Sequence, residues 1–145
     1  MLSIHRVSLK TALLIYAVSD LLCVSMGMGV PIFCILLGFP VGWYIARRAI
    51  NSNEEGTSVL KSVLKSAIVT SAFTFVGMSL IWGRCLFMLF NPSADFRNFG
   101  IPLILYDPKL SFVGWIVLMI VISPFLQLLT TIFASYLVML KQLRS

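Results

Sequence analysis

An aspartate stands in the middle of the first apolar stretch of this chain. Asp20 lies ten positions after Lys10 and nine before Gly29, and the residues between them are otherwise uncharged. A charged side chain at bilayer depth costs roughly 2.5–3.5 kcal/mol even on insertion scales, so it finds a partner, contacts water or takes up a proton. Proton and ion relays use carboxylates for this reason. The sequence therefore makes Asp20 a candidate proton or cation site.

Polar and small residues recur at helical spacing in three of the apolar stretches. Tyr16 shares the helix face of Asp20, and Thr74 and Gln127 come out within about one helical turn of its depth when counted from the flanking interfacial residues. We predict that Asp20, Thr74, Gln127 and Tyr16 line a substrate or ion pathway. Close packing of membrane helices uses the same residue types, and it is the alternative interpretation. The full stripes are Tyr16, Ser19, Cys23 and Gly27; Ser66, Thr70, Thr74 and Gly77; and Ser123, Gln127, Thr130 or Thr131, and Ala134.

The inventory of reactive side chains excludes several kinds of site. The single histidine, His5, lies outside the apolar stretches, so bis-histidine haem ligation within them is impossible. No His, Cys, Asp and Glu cluster has metal-ligand spacing, and the apolar stretches contain no phosphate-binding loop, nucleophile elbow or paired carboxylates. The cysteines, Cys23, Cys34 and Cys85, form no CxxC pair. We expect no metal, no cofactor and no enzymatic activity.

The composition requires lipid as a solvent for much of the chain. Of the 145 residues, 59% are apolar and 11% are charged, whereas soluble domains are about half apolar and about a quarter charged. The net charge is +6, but the basic residues flank apolar stretches, which is typical of topogenic signals and of contact with anionic headgroups. We therefore expect a single membrane domain over residues 1–145, whose partner is the lipid bilayer and not a nucleic acid.

The apolar stretches predict an all-α bundle of four transmembrane helices. They cover about residues 9–28, 31–50, 63–90 and 110–140. A charge-free link with glycine and proline separates the first two, which predicts a tight helical hairpin. A cytoplasmic loop at 51–62 and an outer loop at 91–110 join the others, and the apolar middle of the outer loop is expected to fold back onto the headgroups or the helix ends. Pro124 should kink the fourth helix.

Aromatic and basic residues mark the predicted helix ends. Eight of the eleven basic residues fall on the side of the two termini and the 51–62 loop, and three fall on the other side. This distribution predicts that both termini are cytoplasmic, in a multi-pass protein of the plasma or inner membrane. The lysine-bearing segment before the third span is expected to start at the headgroups. The predicted interfacial anchors are Trp43, Arg47, Arg48, Lys61, Lys65, Arg84 and Trp115.

Two functions fit these features. The first is a transporter or permease subunit that moves a small solute or ion, with Asp20 as the proton or cation site. Because four helices enclose little space, this function predicts a homo-oligomer or a partner membrane subunit. The second is a non-catalytic structural or assembly subunit of a larger membrane complex, for which the 91–110 loop and the Leu60–Lys65 segment would be the docking surfaces.

Overall fold

The structure is a computed structural model that describes residues 8–26, 30–52, 56–101, 103 and 105–143. Every regular element in this part of the chain is a helix. A 3₁₀ helix, Gly83–Phe90, follows the third α-helix, and a π-helical turn, Leu118–Ile122, joins the fourth to the fifth. The α-helices are α1 (Leu9–Ser25), α2 (Val30–Asn51), α3 (Gly56–Trp82), α4 (Pro108–Val117) and α5 (Ser123–Leu143).

Within the described residues, three helical segments are long and apolar enough to cross a membrane. They are Pro31–Asn51, Gly56–Phe90 and Pro108–Gln142. Helix α1 is as apolar as α2 but has 17 residues, which at 1.5 Å per residue is ~25 Å, at the lower limit of a spanning helix. The chain is therefore an α-helical membrane protein.

Local side-chain chemistry sets where the helices begin. Ser8 accepts a hydrogen bond from the Thr11 amide at the start of α1, and the Asp107 carboxylate accepts two amide hydrogen bonds at the start of α4. Pro108 follows Asp107, at a helix position where a missing amide proton costs nothing. The π-helical turn ends at Ile122, two residues before Pro124, and the Ser123 amide donates to the Leu118 carbonyl. The irregularity thus lies beside the residue that cannot donate to a helix.

Helix α3 begins at Gly56, ahead of the predicted third span of 63–90. Its first turns include the segment predicted to start at the headgroups, and Val59 and Val63 pack there against Ile45 and Ala49 of α2. The 51–62 loop is correspondingly shorter, because α2 continues to Asn51 and α3 starts at Gly56. The predictions for the end of the first span, for the hairpin link and for part of the 51–62 loop fall on residues 27–29 and 53–55, which lie outside the described residues.

Helix α2 packs more extensively on α5 than on any other described element. At Gly38 an added Cβ would overlap Thr130 Oγ1 and lie 2.7 Å from the Gln127 carbonyl oxygen; at Gly42 it would overlap the Thr131 carbonyl oxygen. Thr130 Oγ1 donates to the Ile35 carbonyl at 2.8 Å. The two glycines therefore bring the α2 and α5 backbones together within one chain.

The segment between the 3₁₀ helix and α4 folds back onto the helix ends. Phe96 and Phe99 pack on Phe112 of α4, with ring centroids 5.0 and 5.1 Å away, and Ile101 packs on the core. The Asp95 carboxylate accepts hydrogen bonds from nearby groups of the same loop. The outer loop ends earlier than predicted, since α4 begins at Pro108, and residues 102 and 104 lie outside the described part.

The predicted anchors fall into two groups. Trp43 is 38% exposed and the Arg47 guanidinium lies 5.9 Å from its ring centroid, while Lys61, Lys65, Arg48 and Arg84 are exposed. Trp115 differs from the prediction, because it is 8% exposed and packs among Val24, Cys34, Met78 and Met119. Its position is that of a core residue.

Candidate functional site

The Tyr16 hydroxyl is the junction of a buried hydrogen-bond network that joins α1, α3 and α5. It donates to the Thr70 carbonyl at 2.9 Å and lies 2.7 Å from Thr74 Oγ1. Gln127 Nε2 donates to it at 2.6 Å. All of these side chains are buried. The stripes predicted on three separate helices therefore meet at one point in the bundle.

Asp20 joins the same network one helical turn along α1. Its Oδ2 lies 3.0 Å from Thr74 Oγ1, and none of the side chain is exposed. The Cys34 thiol of α2 also interacts with this carboxyl group. Asp20 is consequently in contact with α2 and α3 as well as with its own helix.

The number of protons in the network is smaller than the number of contacts. Four short contacts connect Gln127 to Tyr16, Tyr16 to the Thr70 carbonyl, Tyr16 to Thr74, and Thr74 to Asp20. The Gln127 amide contributes one proton to them, and the two hydroxyl groups contribute one each. Two arrangements therefore fit these contacts. With Asp20 ionised, Tyr16 donates to Thr74 and Thr74 donates to Asp20 Oδ2; with Asp20 protonated, Oδ2 donates to Thr74, Thr74 donates to Tyr16, and Tyr16 donates to the Thr70 carbonyl.

Removal of a proton from Asp20 would rearrange the hydrogen bonds of the network. The remaining three protons would connect Gln127 to Tyr16, Tyr16 to Thr74, and Thr74 to the Asp20 carboxylate. The Tyr16 proton would no longer serve the Thr70 carbonyl, and the Thr74 proton would turn from Tyr16 to Asp20. Protonation of Asp20 thus sets the direction of hydrogen bonds that cross between α1 and α3.

Two buried oxygen atoms in the site accept no hydrogen bond from any residue that the structure describes. They are Asp20 Oδ1 and Gln127 Oε1. A buried polar atom without a partner costs about 1–3 kcal/mol, so such atoms in a native protein call for an explanation. Both atoms are acceptors, which means that a donor group or a cation would satisfy them and an anion would not.

A cleft of about 760 Å³ opens beside the network between α1, α2 and α3. Tyr16 and Thr70 line it, whereas Asp20, Thr74 and Gln127 do not. Tyr16 and Thr70 are therefore the residues at which the cleft and the network meet.

The structure brings together all four residues that the sequence singles out: Tyr16, Asp20, Thr74 and Gln127. Their part in a pathway stays a prediction. Two further participants were not identified as such from the sequence. Cys34 reads as a small buried hydrophobe because nothing in its neighbours indicates a carboxyl group, and Thr70 contributes a backbone carbonyl, which no side-chain pattern indicates. In the described part of the chain, no group of three or more His, Cys, Asp and Glu residues could hold a metal ion.

No family model, curated protein or solved structure matches this chain. The buried network around Asp20 and the adjoining cleft are the features that support a function.

Proposed function

We propose that this protein is a transporter or permease subunit that moves a small solute or ion and couples that movement to protonation of Asp20. The observation that carries the proposal is the buried network around Asp20, whose four contacts can be arranged with or without a proton on this carboxyl group. A carboxyl group in this position has two arrangements of partners, one for each protonation state. Coupled transport requires a group with two such states.

The unpartnered acceptors support a cationic or hydrogen-bond-donating cargo. Asp20 Oδ1 and Gln127 Oε1 belong to side chains that the Tyr16 and Thr74 hydroxyls connect. An ammonium group, a metal cation or a hydrated proton would supply what both oxygens lack. A proton that reaches Tyr16 would pass to Asp20 by way of Thr74.

The proposed topology has four spans with both termini on the cytoplasmic side. Helix α1 is the fourth span, since its 17 residues meet the lower limit for crossing when Lys10 extends its end into the headgroups. Four helices leave little room for a pathway, so we propose that a second copy or another membrane subunit completes it. A plasma or inner membrane fits the distribution of basic residues.

Proton flux into liposomes tests the proposal. The purified protein is reconstituted with a pH-sensitive dye inside the vesicles, and flux is driven by a potassium diffusion potential, with and without added sodium or small ammonium ions. We expect flux from the natural protein, and none above protein-free vesicles from Asp20→Asn, whose amide donates to Thr74 permanently and cannot release a proton. Asp95→Asn, in the exposed outer loop, is the matched control and should keep full flux. Equal flux from Asp20→Asn would contradict the proposal.

A structural or assembly subunit is the second candidate, and the outer end of the bundle favours it. Phe87 and Phe90 are 77% and 85% exposed, and Tyr106 is fully exposed. Aromatic side chains in such positions suit contact with another protein or with headgroups. For this function, gentle solubilisation should recover a hetero-complex that is lost when all three aromatic residues are changed to serine, and Asp20→Asn should leave it intact.

A further inference from the structure

The cleft between α1, α2 and α3 has the length of one bilayer leaflet. Along α1 it runs from Leu9 to Ser19, and along α3 from Ser62 to Thr70. At 1.5 Å per residue these stretches are ~15 Å and ~12 Å long, and half of a hydrocarbon core is about 15 Å. Its volume of about 760 Å³ lies within the range of about 300–1,000 Å³ that ligand pockets occupy.

The walls of the cleft change in character from one end to the other. Trp43, Tyr44, Ser62 and Lys65 line one end, and aromatic residues beside a lysine are typical of headgroup depth. The middle is apolar, with side chains from all three helices such as Leu13, Leu37, Val41 and Val69. The lysine, the aromatic rings and the apolar side chains thus follow one another along the cleft as the headgroup, the interfacial region and the acyl chain follow one another along a lipid of that leaflet.

Lys65 makes this end of the cleft positively charged. It is the only charged residue among the described residues that line the cleft. Exposed Arg48 and Lys61 lie at the same end of α2 and α3, so the surrounding field is positive as well. The Ser62 and Ser66 hydroxyls also line the cleft and can donate to phosphate or carboxylate oxygens. These groups complement an anionic headgroup and oppose a cationic one.

We propose that this cleft is a binding site for an anionic membrane lipid, with its headgroup at Lys65 and one acyl chain inserted between α1 and the α2–α3 pair. The chain end then contacts Tyr16 and Thr70, the two network residues that line the cleft. The site is independent of whether Asp20 transports anything, because none of its proposed contacts with the lipid involves that carboxyl group.

Native mass spectrometry of the full chain in a mild detergent tests the site. The probes are phosphatidylglycerol and phosphatidylcholine with identical acyl chains, added in equal amounts to delipidated protein. We expect one phosphatidylglycerol to remain bound at collision energies that remove phosphatidylcholine. Lys65→Gln should lower the retained phosphatidylglycerol about fivefold, the effect of one basic residue on an anionic lipid. Lys61→Gln, one turn earlier on α3 and outside the cleft, is the matched control and should change retention less than twofold.

Two further variants separate the headgroup from the chain. Lys65→Arg keeps the positive charge and should retain phosphatidylglycerol, which shows that a loss in Lys65→Gln comes from charge and not from misfolding. Val69→Trp fills the apolar part of the cleft and should remove the tightly held lipid while Lys65 is present. Equal retention of the two lipids by the natural protein, or equal effects of Lys61→Gln and Lys65→Gln, would overturn the proposal. Proton flux in the same variants reports on Asp20 separately.

Discussion

The hydroxyl oxygens of Tyr16 and Thr74 lie 2.7 Å apart, although 58 positions separate the two residues in the chain. This contact ties α1 to α3 in the interior of the bundle, between Gln127 on one side and Asp20 on the other. Its donor depends on the protonation state of Asp20, because Tyr16 donates when Asp20 is ionised and Thr74 donates when Asp20 is protonated. Stability and protonation are therefore coupled through the same pair of oxygens.

Removal of the Tyr16 hydroxyl should destabilise the protein. In Tyr16→Phe, Gln127 Nε2 loses the acceptor that it has at 2.6 Å, and a buried donor without a partner costs about 1–3 kcal/mol. We expect a loss of that size in the free energy of unfolding, measured by denaturant titration in detergent. Tyr136→Phe is the control, since Tyr136 is 54% exposed, and its effect should stay within about 0.5 kcal/mol. Equal effects would show that the network contributes nothing.

Gly42→Ala should disrupt the contact between α2 and α5. The new methyl group would overlap the Thr131 carbonyl oxygen, and a backbone atom cannot turn aside as a side chain can. Overpacking of this kind costs about 1–3 kcal/mol or more. Gly77→Ala is the matched control on α3, where nothing lies within 4 Å of the added carbon, and it should be neutral or raise the thermal midpoint. A Gly42→Ala protein as stable as Gly77→Ala would contradict the close approach of the two helices.

The four-span topology predicts opposite labelling of two exposed serines. Ser52 follows α2 and Ser93 lies in the outer loop. In a Cys85→Ser background, an impermeant maleimide should label Ser93→Cys in intact cells, and should label Ser52→Cys only after permeabilisation. The reverse pattern would contradict the cytoplasmic position of the termini. Labelling of both sites in intact cells would contradict an odd number of crossings between them.

The outer loop should loosen at acid pH through Asp95. Hydrogen bonds from the Asn98 side chain and from the Arg97 and Asn98 amides hold the pKa of the Asp95 carboxyl below its ordinary value. Because the folded pKa is depressed, this stabilisation is present above the unfolded value of about 3.9 and is lost as the pH falls through the folded value.

The amide resonances of Arg97 and Asn98 in a detergent sample report this titration. Their shifts should change together with a midpoint below about 3.9. Asp95→Ala should abolish the change, whereas Asp107→Ala, at the start of α4, should leave it in place. A midpoint at or above the ordinary aspartate value would contradict the loop geometry.

Membership of the candidate site could be predicted because two simple rules apply to it. Helical spacing puts Tyr16 on the face of Asp20, and depth counted from the interfacial residues brings Thr74 and Gln127 level with them. The hydrogen bonds that connect these four residues could not be predicted, because they depend on distances of 2.6–3.0 Å between atoms on three helices. The Cys34 contact was missed for a related reason, since a cysteine in an apolar stretch has the same pattern whether it meets lipid or a carboxyl group.

The packing of residues near the helix ends could not be predicted either, again for physical reasons. Trp115 lies near the start of the last apolar stretch, where a tryptophan at the membrane surface and one in the core have the same sequence context. Only the packing against Met119 and its neighbours distinguishes them. Likewise, the four-residue steps of valines and lysines predict a helix start at the headgroups. They do not indicate that Val59 and Val63 of α3 pack on α2.

Because Gly38 and Gly42 fit closely against α5, α2 and α5 are held together more extensively than α1 is held to any other described helix. Separation of α2 from α5 would break three side-chain-to-backbone hydrogen bonds, those of Ser123, Thr130 and Ser135, and the close contact of the two backbones at Gly38 and Gly42. Helix α1, by contrast, is held to the bundle near its middle by Tyr16 and Asp20, and its N-terminal half borders the cleft. A tilt of α1 away from the α2–α5 pair would therefore have to break the hydrogen bonds of the Tyr16 hydroxyl before it exposed the buried carboxyl group.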